Sequence, residues 1–128
     1  EIEKVMRESS IVVITTADPA PVREAVKFYR ELPGLASTPE AVIFNRSLPD
    51  AWASPTVPPK TSAELRSIVE LWGSETLRQR DTREEFSARY GATVATVPLS
   101  DEPLTDLDGL ALLMSQGSGI PWERIGVG

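Results

Sequence analysis

Ser10 to Thr16 reads SIVVITT, a run of β-branched residues that is apolar through its centre and shows no strict alternation. That pattern suits a strand buried on both faces, as in a parallel sheet. A helix is expected next. Pro21 fits its first turn, with Asp18 nearby as a start signal. Val22, Ala25, Val26, Tyr29 and Leu32 then fall on one helical face, and Pro33-Gly34 is expected to end it. Ala41 to Asn45 (AVIFN) reads as a second buried strand. Pro49, Pro55, Pro58 and Pro59 make the following stretch a loop. Thr61 or Ser62 can cap the next helix, with Leu65, Ile68, Val69 and Trp72 as its apolar face. Gly73 is a place for that helix to kink or break.

Glu75 to Tyr90 is strongly charged, with Leu77, Phe86 and Tyr90 as its anchors, and reads as a largely exposed helix ended by Gly91. Ala92 to Leu99 (ATVATVPL) is a third strand, followed by the polar turn SDEP. Leu104, Leu107, Leu110, Ala111 and Met114 mark a closing amphipathic helix. Strands alternating with helices imply βαβ crossovers and an α/β fold with a parallel sheet. Three strands make a thin sheet, which reads as the C-terminal part of a larger doubly wound one. The expected organisation is an α/β portion over residues 1–116 and a flexible, glycine-rich tail over 117–128, with Trp122 as its one anchor.

Composition narrows the chemistry. The chain has 128 residues, 41% hydrophobic and 25% charged, which is ordinary for one globular domain. Its net charge of -6 is spread along the sequence without a basic stripe, so nucleic acid is not an expected partner. Cysteine and histidine are both absent, which removes disulfides, thiolate metal sites, a cysteine nucleophile and the commonest general base. No catalytic or metal-ligating constellation is visible. The sequence carries neither a leader nor an apolar run long enough for a bilayer, and cytoplasm is the expected compartment. It opens on Glu1, which suits a piece of a longer protein.

In open α/β sheets, ligands bind beyond the carboxyl ends of the strands. Thr15 to Asp18, Asn45 to Ser47 and Pro98 to Asp101 occupy those places. Asn45 offers a donor and an acceptor together, which matches an adenine edge; it is equally the residue of a turn that bonds its own backbone. Arg46 suits a phosphate or a partner carboxylate, or else solvent. Asp101 and Glu102 read as a polar turn before a helix, and Asp106 and Asp108 as solvated acids. Arg78, Arg80 and Arg83, interleaved with Glu75, Asp81, Glu84 and Glu85, read as a salt-laced exposed face. The glycines form neither GxxxxGK[ST] nor GxGxxG, so a phosphate-cradling loop is missing from this sequence.

Three segments, in order, resemble the C-terminal half of the arsenical-pump-driving (ArsA-like) ATPases, a family that includes the tail-anchored-protein targeting factor. Ile11-Val-Val-Ile-Thr-Thr16 with Pro21-Val-Arg-Glu-Ala25 looks like the family's strand ending in Thr, its proline and its "REA" helix start. Ala41-Val-Ile-Phe-Asn-Arg-Ser-Leu-Pro49 looks like "VVNR-LP", and Ala92-Thr-Val-Ala-Thr-Val-Pro-Leu99 like the "V-VP" strand. The charged helix Leu77 to Tyr90 sits where the family has its "Q..Y" helix, so the likeness spans Ile11 to Met114.

The resemblance implies a P-loop NTPase fold whose P-loop and switches lie upstream of Glu1. It implies that the complete protein binds ATP or ADP with Mg and couples hydrolysis to anion transport or protein targeting. Asn45 would contact adenine, Arg46 would adjoin it, and Pro98 and Leu99 would lie near the base. The implied partner is the N-terminal P-loop portion of the same protein or a catalytic ATPase subunit, within a homo- or heterodimer. Glu102 is followed by Pro-Leu-Thr where the family has "R-G", and the family's zinc and arsenite cysteines are absent. Alone, the chain is expected to turn over little ATP. The alternative expectation is a non-enzymatic interaction module that pairs with such a subunit. A flavodoxin-like enzyme is a third, less favoured class.

Overall fold

The computed structural model describes residues 10–35, 38–100 and 105–124. In order they form β1 (Val12–Thr15), α1 (Pro19–Leu35), β2 (Ala41–Ser47), a 3₁₀ turn (Asp50–Ala53), α2 (Ala63–Tyr90), β3 (Val94–Pro98) and α3 (Leu107–Ser115). The strands make one parallel sheet in the order β1-β2-β3. This is the expected α/β architecture.

Strands in sequential order, joined by crossovers of one hand, put both crossover helices on the same face. The core shows this. Val13, Val42 and Phe44 meet Ala25 and Tyr29 of α1 and Phe86 of α2. Phe86 sits at the centre, its ring 5.8 Å from Tyr29, 5.9 Å from Phe44 and 5.0 Å from Tyr90. On the opposite face, Ile43, Ala95 and Val97 are covered by Leu113 and Met114 of α3 and by Ile120. β2 is therefore buried on both sides, as its unalternating apolar run requires. β1 is not. Ile14, paired in register with Ile43, is 68% exposed, because among the described residues no helix covers that part of the second face.

α2 departs most from expectation. It runs unbroken through Gly73, whose role is close approach: a Cβ there would stand 3.1 Å from the backbone oxygen of Trp52. The glycine lets the 3₁₀ turn pack on the helix instead of kinking it. Ser62 caps the N-terminus by accepting from the Leu65 N–H, and Gly91 ends the helix in the left-handed conformation at φ 62°. The expected apolar face is exposed at Leu65, Ile68 and Trp72, while the charged half carries the buried residues Thr76, Arg83 and Phe86.

Smaller differences follow the same logic of tertiary override. α1 continues through Pro33 to Leu35, forgoing the hydrogen bond that an N–H at position 33 would give to the Tyr29 carbonyl. α3 packs through Leu113 and Met114, leaving Leu107 81% exposed; Leu104 falls outside the described residues. Among its described residues, 117–124, the segment expected to be loose touches the sheet at Ser118. Ser118 and Thr96 exchange backbone hydrogen bonds of 2.8 and 2.9 Å, and the Arg124 guanidinium reaches the Thr93 hydroxyl. Trp122 is partly exposed there.

Candidate functional site

The carboxyl ends of β2 and β3 lie side by side. Pairing between these strands is regular up to Phe44 and Thr96, then shifts before resuming at Ser47 and Pro98. The irregularity comes from Arg46, which takes a left-handed φ of 56°. The Arg46 N–H turns back to the Asn45 side chain, donating to Oδ1 at 2.9 Å. Ser47 Oγ closes the bulge by donating to the Phe44 carbonyl at 2.8 Å. Leu99 N–H then donates to the Ser47 carbonyl at 3.0 Å, joining the two strand-end loops.

Asn45, Arg46, Pro98 and Leu99 thus sit at adjacent strand ends. Asn45 adopts the local turn bond, which engages its side-chain oxygen and leaves the amide nitrogen as the remaining donor. Arg46 is exposed and forms no ion pair among the described residues. Pro98 is half-buried. Leu99, with Leu48, Trp52, Pro55, Val69 and Trp72, lines an apolar cleft of about 580 Å³. Asn45, Arg46 and Pro98 do not line it. The cleft carries two indoles whose rings meet edge to face at 6.1 Å.

A second cleft, about 780 Å³, runs along the free edge of β1 and the outer side of α1, between Val12–Thr16 and Glu24, Lys27, Phe28 and Glu31. Its wall is the unpaired side of β1, in a sheet where β1 has a partner on one side only among the described residues.

Three polar residues of α2 that the sequence placed on an exposed face brace the strand ends instead. Gln79 Oε1 accepts from the Leu48 N–H at 2.9 Å. Arg78 donates to the Ala17 carbonyl at 2.9 Å and forks onto Glu75 at 2.8 and 2.6 Å. The Glu75 hydrogen bond raises the pKa of the already charged Arg78 guanidinium, and Arg78 in turn holds the Glu75 carboxyl below its ordinary value, chiefly by that bond and then by its charge. Arg83 is buried, bonded to Asp50 Oδ1 at 3.2 Å, and its Nη1 meets no acceptor among the described residues. The signal in the sequence was the position of these residues between Thr76 and Phe86. Thr76 is buried on the core side, so nearby long polar chains extend along the helix toward the strand ends.

Asp106 does more than face solvent. It caps α3 by accepting from the Gly109 N–H at 2.7 Å. Asp101 and Glu102 lie outside the described residues. Among the described residues no group of acids is placed to hold a metal ion, and no helix is long and apolar enough to cross a membrane. No protein-family model matches the chain, and no curated protein is similar to it.

Proposed function

We propose that this chain is the C-terminal part of a cytoplasmic ArsA-like ATPase with a P-loop NTPase fold, and that it supplies the adenine side of the nucleotide site. The observation carrying this reading is the convergence of Asn45, Arg46, Pro98 and Leu99 on adjoining strand ends, tied through the Leu99–Ser47 hydrogen bond. The side-chain nitrogen of Asn45 offers a donor to a purine edge, and a modest reorientation of the amide frees its oxygen. Arg46, exposed and without an ion pair among the described residues, suits a phosphate or a carboxylate across an interface. The chain has no phosphate-cradling loop of its own, so the triphosphate and Mg would be held by a P-loop portion added along β1. The open edge of β1 and the exposed Ile14 support that arrangement. The complete assembly would be a homo- or heterodimer that couples ATP hydrolysis to anion transport or protein targeting.

The test is a base-selective titration of the 128-residue chain followed by amide NMR. Adenosine and ATP are expected to shift Asn45, Arg46 and Leu99 alike and weakly, because only the base is engaged, and guanosine much less. Asn45→Ala should abolish the selectivity. Equal shifts with every nucleoside, or none, would defeat the adenine assignment. Brisk Mg-dependent hydrolysis by this chain alone would contradict its role as one side of a site.

The exposed apolar residues of α2 favour a second reading. Leu65, Ile68 and Leu71 stand in solvent beside Trp52 and Trp72. On that reading the chain is a non-enzymatic module that pairs with a catalytic ATPase subunit. It predicts no base selectivity in the same titration.

A further inference from the structure

The loops that follow β1 and β2 are held by neighbouring residues of one helix. Arg78 fixes the first, through the Ala17 carbonyl at 2.9 Å and the Asp18 carboxylate at 3.7 Å. Gln79 fixes the second, through the Leu48 N–H at 2.9 Å, and Arg83 adds Asp50 at 3.2 Å. These bonds join residues 61, 31 and 33 positions apart, so they are tertiary ties and not helix-local pairs. The part of α2 that carries them is itself fixed. Thr76 is 1% exposed and Phe86 3%, on the core side of the same turns.

Both loops lie where ligands bind in open α/β sheets. We infer that α2 is a rigid tie between them, with Arg78 and Gln79 as the positioning residues at its two attachments. A group that displaces the 16–18 loop loads Arg78, hence Gln79 on the adjoining residue, hence the Leu48 segment that follows Asn45 and Arg46 at the end of β2. The hydrogen bonds to the Ala17 carbonyl and the Leu48 N–H are the contacts through which this coupling would run. The inference holds for any ligand of these loops and does not depend on that ligand being a nucleotide.

The sheet offers a competing route, because β1 and β2 are hydrogen-bonded neighbours. Amide hydrogen exchange of the 128-residue chain separates the two. Gln79→Leu is expected to speed exchange at Leu48 about tenfold by removing its acceptor. Through the tie it should also speed Val22, whose N–H donates to the Asp18 carbonyl at 3.0 Å, roughly threefold, although Gln79 does not touch it. Arg78→Met should produce the reciprocal pattern, acting strongly at Val22 and more weakly at Leu48. Ile43, in the central strand, should be unchanged in both. Gln79→Glu, which keeps an acceptor for Leu48, should restore the wild-type rates at both loops, and it serves if the leucine variant fails to fold. Effects confined to the loop each residue touches would overturn the inference. So would uniform acceleration that includes Ile43, since that is loss of global stability.

Discussion

The two halves of α2 invert the usual relation between composition and burial. The first, from Ala63 to Trp72, carries Leu65, Ile68, Val69, Leu71 and Trp72, and most of that surface stands in solvent. The second, from Gly73 to Tyr90, has charged residues throughout, yet it holds Thr76, Arg83 and Phe86 buried. The difference lies in what each half faces. The second lies across the sheet, where Phe86 and Tyr90 make the contact and long polar chains extend to the strand ends. Among the described residues, the first meets the 3₁₀ turn through Trp72, with Gly73 at the boundary, and otherwise borders an open apolar cleft. Apolar content alone does not dock a helix; a complementary surface must be within reach.

The sharpest way to break this comparison is to truncate one residue from each half. Phe86→Ala removes a ring in contact with Tyr29, Phe44 and Tyr90, and should cost about 3–5 kcal/mol of unfolding free energy. Ile68→Ala removes a half-exposed side chain and should change stability by no more than about 0.5 kcal/mol. Alanine's better helix propensity would offset part of even that. Urea denaturation of the two variants checks both numbers. A loss at Ile68 comparable with that at Phe86 would mean that the first half is docked in solution.

What the sequence made legible follows the same division. The strands, the α1 face of Ala25, Tyr29 and Leu32, the Ser62 cap and the Gly91 stop were readable because each rests on local chemistry. The neighbouring positions of Asn45 and Leu99 followed from parallel strands ending together. The burial of Arg83 and the reach of Gln79 to Leu48 were not readable, since they depend on where a helix sits relative to a loop 31 or more residues away. Gly73 was legible as unusual but not as a contact point, because its neighbour, the Trp52 carbonyl, is distant in sequence. The turn bond inside Asn45 was one of two readings that a strand-end asparagine allows, and only the left-handed Arg46 selects it.

Arg83 sharpens the comparison from within the polar half. Its side chain is 9% exposed, while that of its partner Asp50 is 73% exposed. Removing the carboxylate by Asp50→Ala leaves a buried guanidinium with fewer acceptors still, since Nη1 already has none among the described residues. That variant should lose on the order of 1–3 kcal/mol. Arg83→Met keeps much of the packing volume and deletes the charge, and should be close to neutral or stabilising. Thermal unfolding of the two variants at neutral pH decides between the accounts. If the methionine variant is the less stable, Arg83 is an ionic anchor in its own right and not a tolerated buried charge.

The smallest effect concerns Glu75 and Arg78, at the boundary between the halves. Arg78 lowers the Glu75 pKa from its ordinary value of 4.5, chiefly through the hydrogen bond. A carboxylate whose folded pKa is depressed stabilises the fold above its unfolded pKa and loses that contribution as pH falls through the folded value. The window therefore lies below about pH 4.5. The raised Arg78 pKa has no consequence there, because the guanidinium is charged throughout. Both side chains are about one-third exposed, so solvent screening limits the pair to a few tenths of a kcal/mol. The stability difference between wild type and Glu75→Gln, measured in urea from pH 6 down to pH 3, should be small and steady near neutrality. It should then shrink as Glu75 protonates; the other carboxylates titrate in both proteins and cancel in the difference. A gap that stays constant across this range would show that the fold does not depress the Glu75 pKa, so that neither the hydrogen bond nor the charge of Arg78 favours the ionised carboxylate.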